Sequence, residues 1–366
     1  MTLNLCAKNK KILTEETLRK RLFPDNHKTP YWDYDFNKLS CGVEVEYLIG
    51  DAIVNDKLMK RDQYLRLITE LEKHGFKNRG LGDQQYRVSK DIENGFIAIK
   101  PDFAFHILEL AFPPFNSIET FSKILNETTW LIDSILQQQN LTRINSFIIN
   151  PNLIDEDKSF VNQERLDGYI SIIKEIKKRD HLEFSEPLFP ACIAAIHIHL
   201  NASSEVDLRL IPFMYEMEPI IINKFNKFIN YNTRYFGNNI RALIYNHTFG
   251  KNYFLSGFPS KIPRDLKSYT ELYNNSDPIF PKDPFFPVRD YSFIRPTTFN
   301  TMEFRSLDTI LDNSKILHAI AWRILQLAYS VTRGRRDNRI KKDSFLLCQS
   351  EVTKVIPKKF LKFLQE

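Results

Sequence analysis

Glycine is scarce in this chain, with 11 in 366 residues, and neither GxGxxG nor GxxxxGK followed by Ser or Thr occurs. Those motifs need glycine so that backbone can approach a phosphate, and their absence excludes a P-loop or Rossmann-type nucleotide site. Any ATP chemistry must use another architecture. Cysteine is scarcer: Cys6, Cys41, Cys192 and Cys348 lie far apart and form no CxxC pair. That spacing fits neither a zinc knuckle nor a dense disulfide framework. No stretch approaches the roughly 18 uninterrupted apolar residues of a membrane span, and the opening MTLNLCAKNKK has no apolar run of the signal-peptide kind. The expectation is a cytoplasmic protein with reduced thiols and no membrane association. Linkers rich in Pro, Gly and Ser, internal repeats and low-complexity blocks are also missing, so one compact domain is the expected organisation.

Nucleic-acid features are thin as well. The formal charge is +6, and much of the excess sits in RGRRDNRIKK, residues 333–342. No aromatic residue is interleaved there to stack on a base, so the stretch reads as a solvated basic helix end and loop before it reads as a nucleic-acid patch. A mildly positive field also suits an anionic substrate such as a nucleoside triphosphate.

Core material, by contrast, is plentiful. The chain is 43% hydrophobic with 29 phenylalanines, and its 26% charged fraction argues against disorder. Hydrophobic spacing predicts helices over 12–23, 60–75, 117–140, 163–178, 206–232 and 314–333. Strands are predicted over 41–50, within 84–112, and over 193–201 and 299–308. Alternating strands among long helices read as an α+β fold with a mostly antiparallel sheet.

Four of these segments carry unusual polar residues. In GVEVE (42–46), Glu44 and Glu46 alternate with Val43 and Val45, so the two carboxylates share a strand face about 6.5–7 Å apart. They repel unless water, a cation or a proton intervenes; alone, the pair would read as a solvated strand face. KPDFAFHILELAF places Asp102 and Glu109 around an apolar run, with Glu109 among core-type residues, where a carboxylate needs a partner. In AAIHIHLNAS, His197 and His199 share one face; a lone histidine there would read as a satisfied core residue, and the pair brings a ligand or phosphate-contacting role level with that reading. In TMEFRSLDT, Glu303 and Arg305 occupy one face with Met302 and Phe304 on the other; a cross-strand ion pair is the plainer reading. Five carboxylates gathered on sheet faces are costly without cations. Mg²⁺ or Mn²⁺ removes that cost, and Mg²⁺ prefers few carboxylates plus substrate phosphates.

The motifs GVEVEYLIG, DFAFHILELAF, IHIHLNAS, FLSGFP and IRPTTFNTMEFRSLDT, in that order, resemble carboxylate–amine ligases of the glutamate–cysteine ligase type, which share the glutamine synthetase catalytic fold. The resemblance covers residues 40–335. It implies a single catalytic domain over 41–335, with a partly helical N-terminal extension at 1–40 and a basic segment at 336–366. The implied fold is α+β, with a curved, mostly antiparallel sheet forming a funnel and helices packed outside. It implies one metal held by Glu46, Asp102 and Glu109, and a second held by Glu44, His197 and Glu303 beside the ATP phosphates. His199 and Lys251 fall where the family binds nucleotide or substrate anion, and Arg295 and Arg305 where it neutralises the transferring phosphoryl group and the substrate carboxylate. ATP, two or more Mg²⁺ or Mn²⁺ ions, glutamate or a similar acid, and an amine such as cysteine are the implied small molecules, with a homodimer left open.

The sequence departs from the family at three places. Lys251 stands where relatives carry arginine, which turns a planar anion clamp into a point charge. Asn201 replaces a common glycine, and Phe293 stands where relatives often have aspartate. The competing readings are a guanidino kinase, a metal-dependent hydrolase and a nucleotide-binding scaffold without turnover. The first lacks the His and ExE pattern, the second leaves the arginine pair unexplained, and the third leaves the six ligand-type residues without a use.

Overall fold

The computed structural model describes residues 14–23, 36, 39–53, 57–80, 85–146, 148–155, 159–180, 188–201, 205–226, 256–259, 261–275, 291–297, 299 and 301–336. In chain order the strands are β1 (Cys41–Asp51), β2 (Lys77–Asn78), β3 (Val88–Ile92), β4 (Gly95–Pro101), β5 (Ile107–Phe115), β6 (Leu141–Arg143), β7 (Ala195–Leu200), β8 (Ser256–Gly257), β9 (Tyr291–Ser292), β10 (Ile294–Pro296) and β11 (Met302–Asp308). The helices are α1 (Glu15–Leu22), α2 (Arg61–Lys73), α3 (Ile118–Gln138), α4 (Gln163–Asp180), α5 (Phe189–Cys192), α6 (Ile211–Phe225), α7 (Leu266–Asn275) and α8 (Asn313–Arg336).

The fold is α+β. Nine strands form an open sheet in the order β10-β11-β7-β1-β5-β4-β3-β2, with β6 also paired to β1. Every pairing in that sheet is antiparallel, and β8 and β9 make a separate short parallel pair. Side chains alternate between faces along each strand, and the register turns this into rows. Val43, Ile198, Phe304 and Ile294 lie opposite one another across β1, β7, β11 and β10. Val45, Leu110 and Ile99 do the same across β1, β5 and β4. All are buried, and this apolar face is covered by helices. Phe121 of α3 meets Phe112 of β5 edge-on at 5.2 Å, and the Arg323 guanidinium of α8 lies 5.0 Å over the Phe304 ring.

The helices form where an apolar stripe meets a stop or start signal. In α2, Tyr64, Leu67, Ile68 and Leu71 are buried at helical spacing, and the chain leaves through Gly75 at φ 87°, a conformation open to glycine. In α3, the Ser117 hydroxyl accepts from Thr120 N–H at 3.2 Å, an N-cap. The helix expected over 206–232 begins with a 3₁₀ turn at Glu205–Leu210, and α6 starts only at Ile211, with Pro212 in its first turn, where proline is tolerated. Residues 227–232 lie outside the described residues, as do 337–366 of the basic segment. None of the described helices is long and apolar enough to cross a membrane.

One buried polar network ties α6 and α8 to the sheet. Arg323 donates to Glu218 Oε2 at 2.6 Å and to Ser306 Oγ at 2.7 Å. Gln326 donates to Glu218 Oε2 at 2.7 Å, and Ser306 donates to the other Glu218 oxygen. All four side chains are fully buried. Removing one partner strands a charge, which costs about 3–5 kcal/mol, whereas an apolar replacement of both partners costs far less. Glu218→Ala is therefore expected to lower the urea midpoint severely, and Glu218→Leu combined with Arg323→Met to recover most of it.

His106 supplies a second expectation. It is fully buried with Nε2 2.7 Å from the Ala191 carbonyl. Burial pushes its pKa from the ordinary 6.5 down to about 4, against the opposing pull of that carbonyl. Between those values the unfolded chain binds a proton that the folded chain refuses, so stability falls as pH drops from 6.5 to 4. The contribution is about 1.4 kcal/mol per pH unit, and His106→Gln is expected to remove it from the pH dependence of the urea midpoint.

Candidate active site

The face opposite the apolar rows carries the charge. Glu44 of β1 lies directly across from His197 of β7 and from Ala111 of β5. Glu46 lies across from Glu109 of β5, which lies across from Lys100 of β4. His199 lies across from Gly42 of β1 and from Glu303 of β11, which lies across from Arg295 of β10. Period-two alternation within strands and antiparallel register between them thus gather seven of the expected site residues on neighbouring strands.

Among the described residues, Glu44, His199 and Glu303 offer donor atoms that lie within 4.8 Å of one another. His199 Nδ1 is 3.0 Å from the Thr301 hydroxyl, which fixes the ring. That leaves Nε2 buried, 3.9 Å from Glu44 Oε2, with no hydrogen-bond partner. One carboxylate from β1, one from β11 and an oriented imidazole form a nitrogen and oxygen donor set suited to a divalent cation. His197, which the resemblance implies as the ligand here, stands beside the same two carboxylates, with Nδ1 3.1 Å from Glu44 Oε2 and 3.7 Å from Glu303 Oε1.

The charges around the group shift its titration. Burial alone would raise Glu303, but Arg295, with Nε 2.5 Å from Oε2, and Arg305, 3.5 Å from Oε1, hold it well below the usual carboxylate range. Burial likewise opposes Glu44, yet His197 and His199 hold it low. His197 is pushed down to about 4 by burial and by Arg305, against Glu44 and Glu303. His199 is raised, because the pull of Glu44 and Glu303 overcomes burial.

A second group lies one strand over. Glu46 Oε2 accepts from the Ala195 N–H at 2.8 Å, and Lys100 Nζ is 3.1 Å from Glu109 Oε2. Burial, together with Glu44, Asp102 and Glu46, pushes Glu109 up, and Lys100 opposes this. Lys100 itself is held above the usual lysine range by Glu109, Asp102 and Glu44 in spite of burial. Asp102 sits at the bend after β4, half-buried, where its charge acts on both.

Sequence reasoning missed Lys100 and Thr301. The signal for Lys100 was present: it is two residues before Asp102 and on an alternating strand, but only the β4–β5 register sets it against Glu109. Arg305 was expected on the Glu303 face, and it occupies a bulge in β11, where Arg305 and Ser306 together oppose His197. Lys251 lies outside the described residues. Phe293 is buried in core packing, with its ring 5.4 Å from that of Phe258. Asn201 accepts from the Ser40 N–H at 2.9 Å, tying the end of β7 to the start of β1.

No family model and no curated protein matches this chain. Two solved structures align with it at low similarity. A bifunctional glutathione synthetase from Pasteurella multocida aligns at 13% identity with a TM-score of 0.45, over 90% of this chain and 46% of that one. A glutamate–cysteine ligase (gshA) from Francisella tularensis, solved in complex with AMP, aligns at 14% identity with a TM-score of 0.48, over 88% of this chain and 72% of that one. The chain thus spans less than half the length of the first of these proteins.

Proposed function

We propose that this chain is an ATP-dependent carboxylate–amine ligase that joins the side-chain carboxylate of glutamate, or of a related acid, to an amine, with cysteine the default acceptor. The observation that carries the reading is the meeting of Glu44, His199 and Glu303 with the guanidinium groups of Arg295 and Arg305 on one sheet face. A donor set of hard oxygens with imidazole, flanked by two permanent cations, suits polyphosphate and carboxylate together. A metal-dependent hydrolase reading accounts for the first half of that arrangement and leaves the arginine pair unexplained. A sheet curved into a funnel around this face and a cytoplasmic location belong to the same proposal, with a homodimer left open.

A carboxylate is inert toward amines, so the proposed course begins with transfer of the γ-phosphoryl group of ATP to the acid, giving an acyl phosphate and ADP. The amine then attacks the acyl carbon, and phosphate leaves from the tetrahedral intermediate. A divalent cation bound at Glu44, His199 and Glu303 would neutralise phosphate oxygens and fix their orientation. Arg295 and Arg305 supply charge to the transferring group from fixed positions. Glu303, ionised and nearly buried, holds both guanidiniums in place between turnovers. Thr301 keeps His199 turned toward Glu44. No protein nucleophile is required.

The test is release of ADP from ATP and Mg²⁺ with glutamate and a panel of amines, with products read by mass spectrometry. A γ-glutamyl amide is the expected product, and AMP with pyrophosphate would point to adenylation and overturn the reading. Arg305→Lys separates catalysis from structure in the same assay. A point charge does not reproduce a planar fork on a phosphoryl group, so kcat is expected to fall about 10²–10³-fold with little change in Tm. A variant with near-normal kcat would remove Arg305 from the site.

A further inference from the structure

The resemblance implies a metal at Glu46, Asp102 and Glu109, and the surroundings of these three differ from those of Glu44, His199 and Glu303. Among the described residues, the donor atoms that converge within 4.8 Å belong to Glu44, His199 and Glu303, and this set is not among them. One Glu46 oxygen is committed to the Ala195 N–H at 2.8 Å. The Glu109 side chain is buried, and the Lys100 ammonium lies 3.1 Å from its Oε2. Lys100 does not reach this place by chance of rotamer. Its backbone is paired directly with that of Glu109, which is paired with that of Glu46, so register delivers the ammonium to the row of carboxylates.

Charge balance points the same way. Glu44, Glu46, Asp102, Glu109 and Glu303 face Lys100, Arg295 and Arg305. With all five carboxylates ionised and both histidines neutral, three side-chain cations leave two negative charges, which one divalent ion offsets. A second divalent ion at Glu109 would have to sit beside the ammonium without the three converging donors that, among the described residues, Glu44, His199 and Glu303 offer beside Arg295 and Arg305.

We propose that Lys100 is a built-in cation in the place of a second metal, so that this chain binds one divalent ion, at Glu44, His199 and Glu303. The inference rests on the metal-binding part of the proposed function and is tested apart from turnover, by titrating the full chain with Mn²⁺ alone and counting bound ions by electron paramagnetic resonance and equilibrium dialysis. The wild type is expected to bind one Mn²⁺ per chain. Glu303→Gln is expected to lose it, Glu109→Gln to keep it, and Lys100→Met to bind two. A wild type that binds two ions, one of them lost in Glu109→Gln, overturns the proposal while leaving the metal reading intact. A wild type that binds none overturns both. A folded Lys100→Met that still binds one ion overturns the role of Lys100. If that variant does not fold, the wild type compared with Glu109→Gln decides.

Discussion

Carboxylates crowded onto one face of a sheet, away from bulk water, set the terms for the rest of this molecule. Glu46, Glu109 and Glu303 are all buried, and each sits on a strand whose opposite face belongs to the core. Period two makes the two demands inseparable: a strand that sends Val43, Val45 and Tyr47 into the core must send Glu44 and Glu46 the other way. The acids cannot drift to solvent without a register slip that would expose the apolar rows. Their charge has to be met where it stands, and Lys100, Arg295 and Arg305 come from β4, β10 and β11 to meet it.

Meeting it also required a break in regularity. β11 would pair evenly with β7 but for one extra residue between Phe304 and Leu307. Bulges of this kind re-aim side chains. Arg305 stays on the charged face, near Glu303, with its N–H donating to the Phe293 carbonyl at 2.8 Å, while Ser306 turns to the helix side. There the Glu218, Arg323 and Gln326 network receives the Ser306 hydroxyl. Asn226 donates to the Ser306 carbonyl at 3.1 Å and accepts from the Asp308 N–H at 3.0 Å. The Arg305 N–H and the Ser306 carbonyl and hydroxyl thus all find partners within the irregular stretch's surroundings, while the Arg305 guanidinium stays on the charged face.

Local patterns of this kind were legible in the sequence. Alternation identified β1, β7 and β11 and assigned Glu44, Glu46, His197, His199 and Glu303 to faces, because the face of a strand residue is a local property. Six of the eight described helices were equally legible, but the short α5 and α7 were not expected, and the ends were not legible: Pro212 postponed the start of α6, and α8 runs on to Arg336. Register was invisible. Nothing near residue 100 says that it will lie opposite residue 109, which lies opposite residue 46, and so Lys100 was passed over. The bulge escaped for the same reason, being a mismatch between two strands. Arg323 and Gln326 did leave a trace, as two polar residues three apart in the apolar stretch AIAWRILQLA, but their partner is 105 residues away from Arg323.

The two histidines show how far equivalent residues diverge once register acts. His197 and His199 share a strand and a face, and on local grounds nothing separates them. β1 and β11 do. Opposite His197, β1 presents Glu44, and the imidazole is drawn into a contact at 3.1 Å. Opposite His199, β1 presents Gly42, so no side chain stands between this ring and its neighbours, and a Cβ added there would lie 3.6 Å from the His199 Cβ. Diagonal neighbours in an antiparallel pair are about 7–8 Å apart at the backbone, within reach of a ring that meets no obstacle. His199 therefore leans from its own row toward Glu44 while remaining opposite Glu303, and the three donors converge. The glycine that opens GVEVE thus sits in the row of His199, where an added methyl would make only an ordinary van der Waals contact at 3.6 Å, so it is side chains larger than alanine that would compete with the ring for this space.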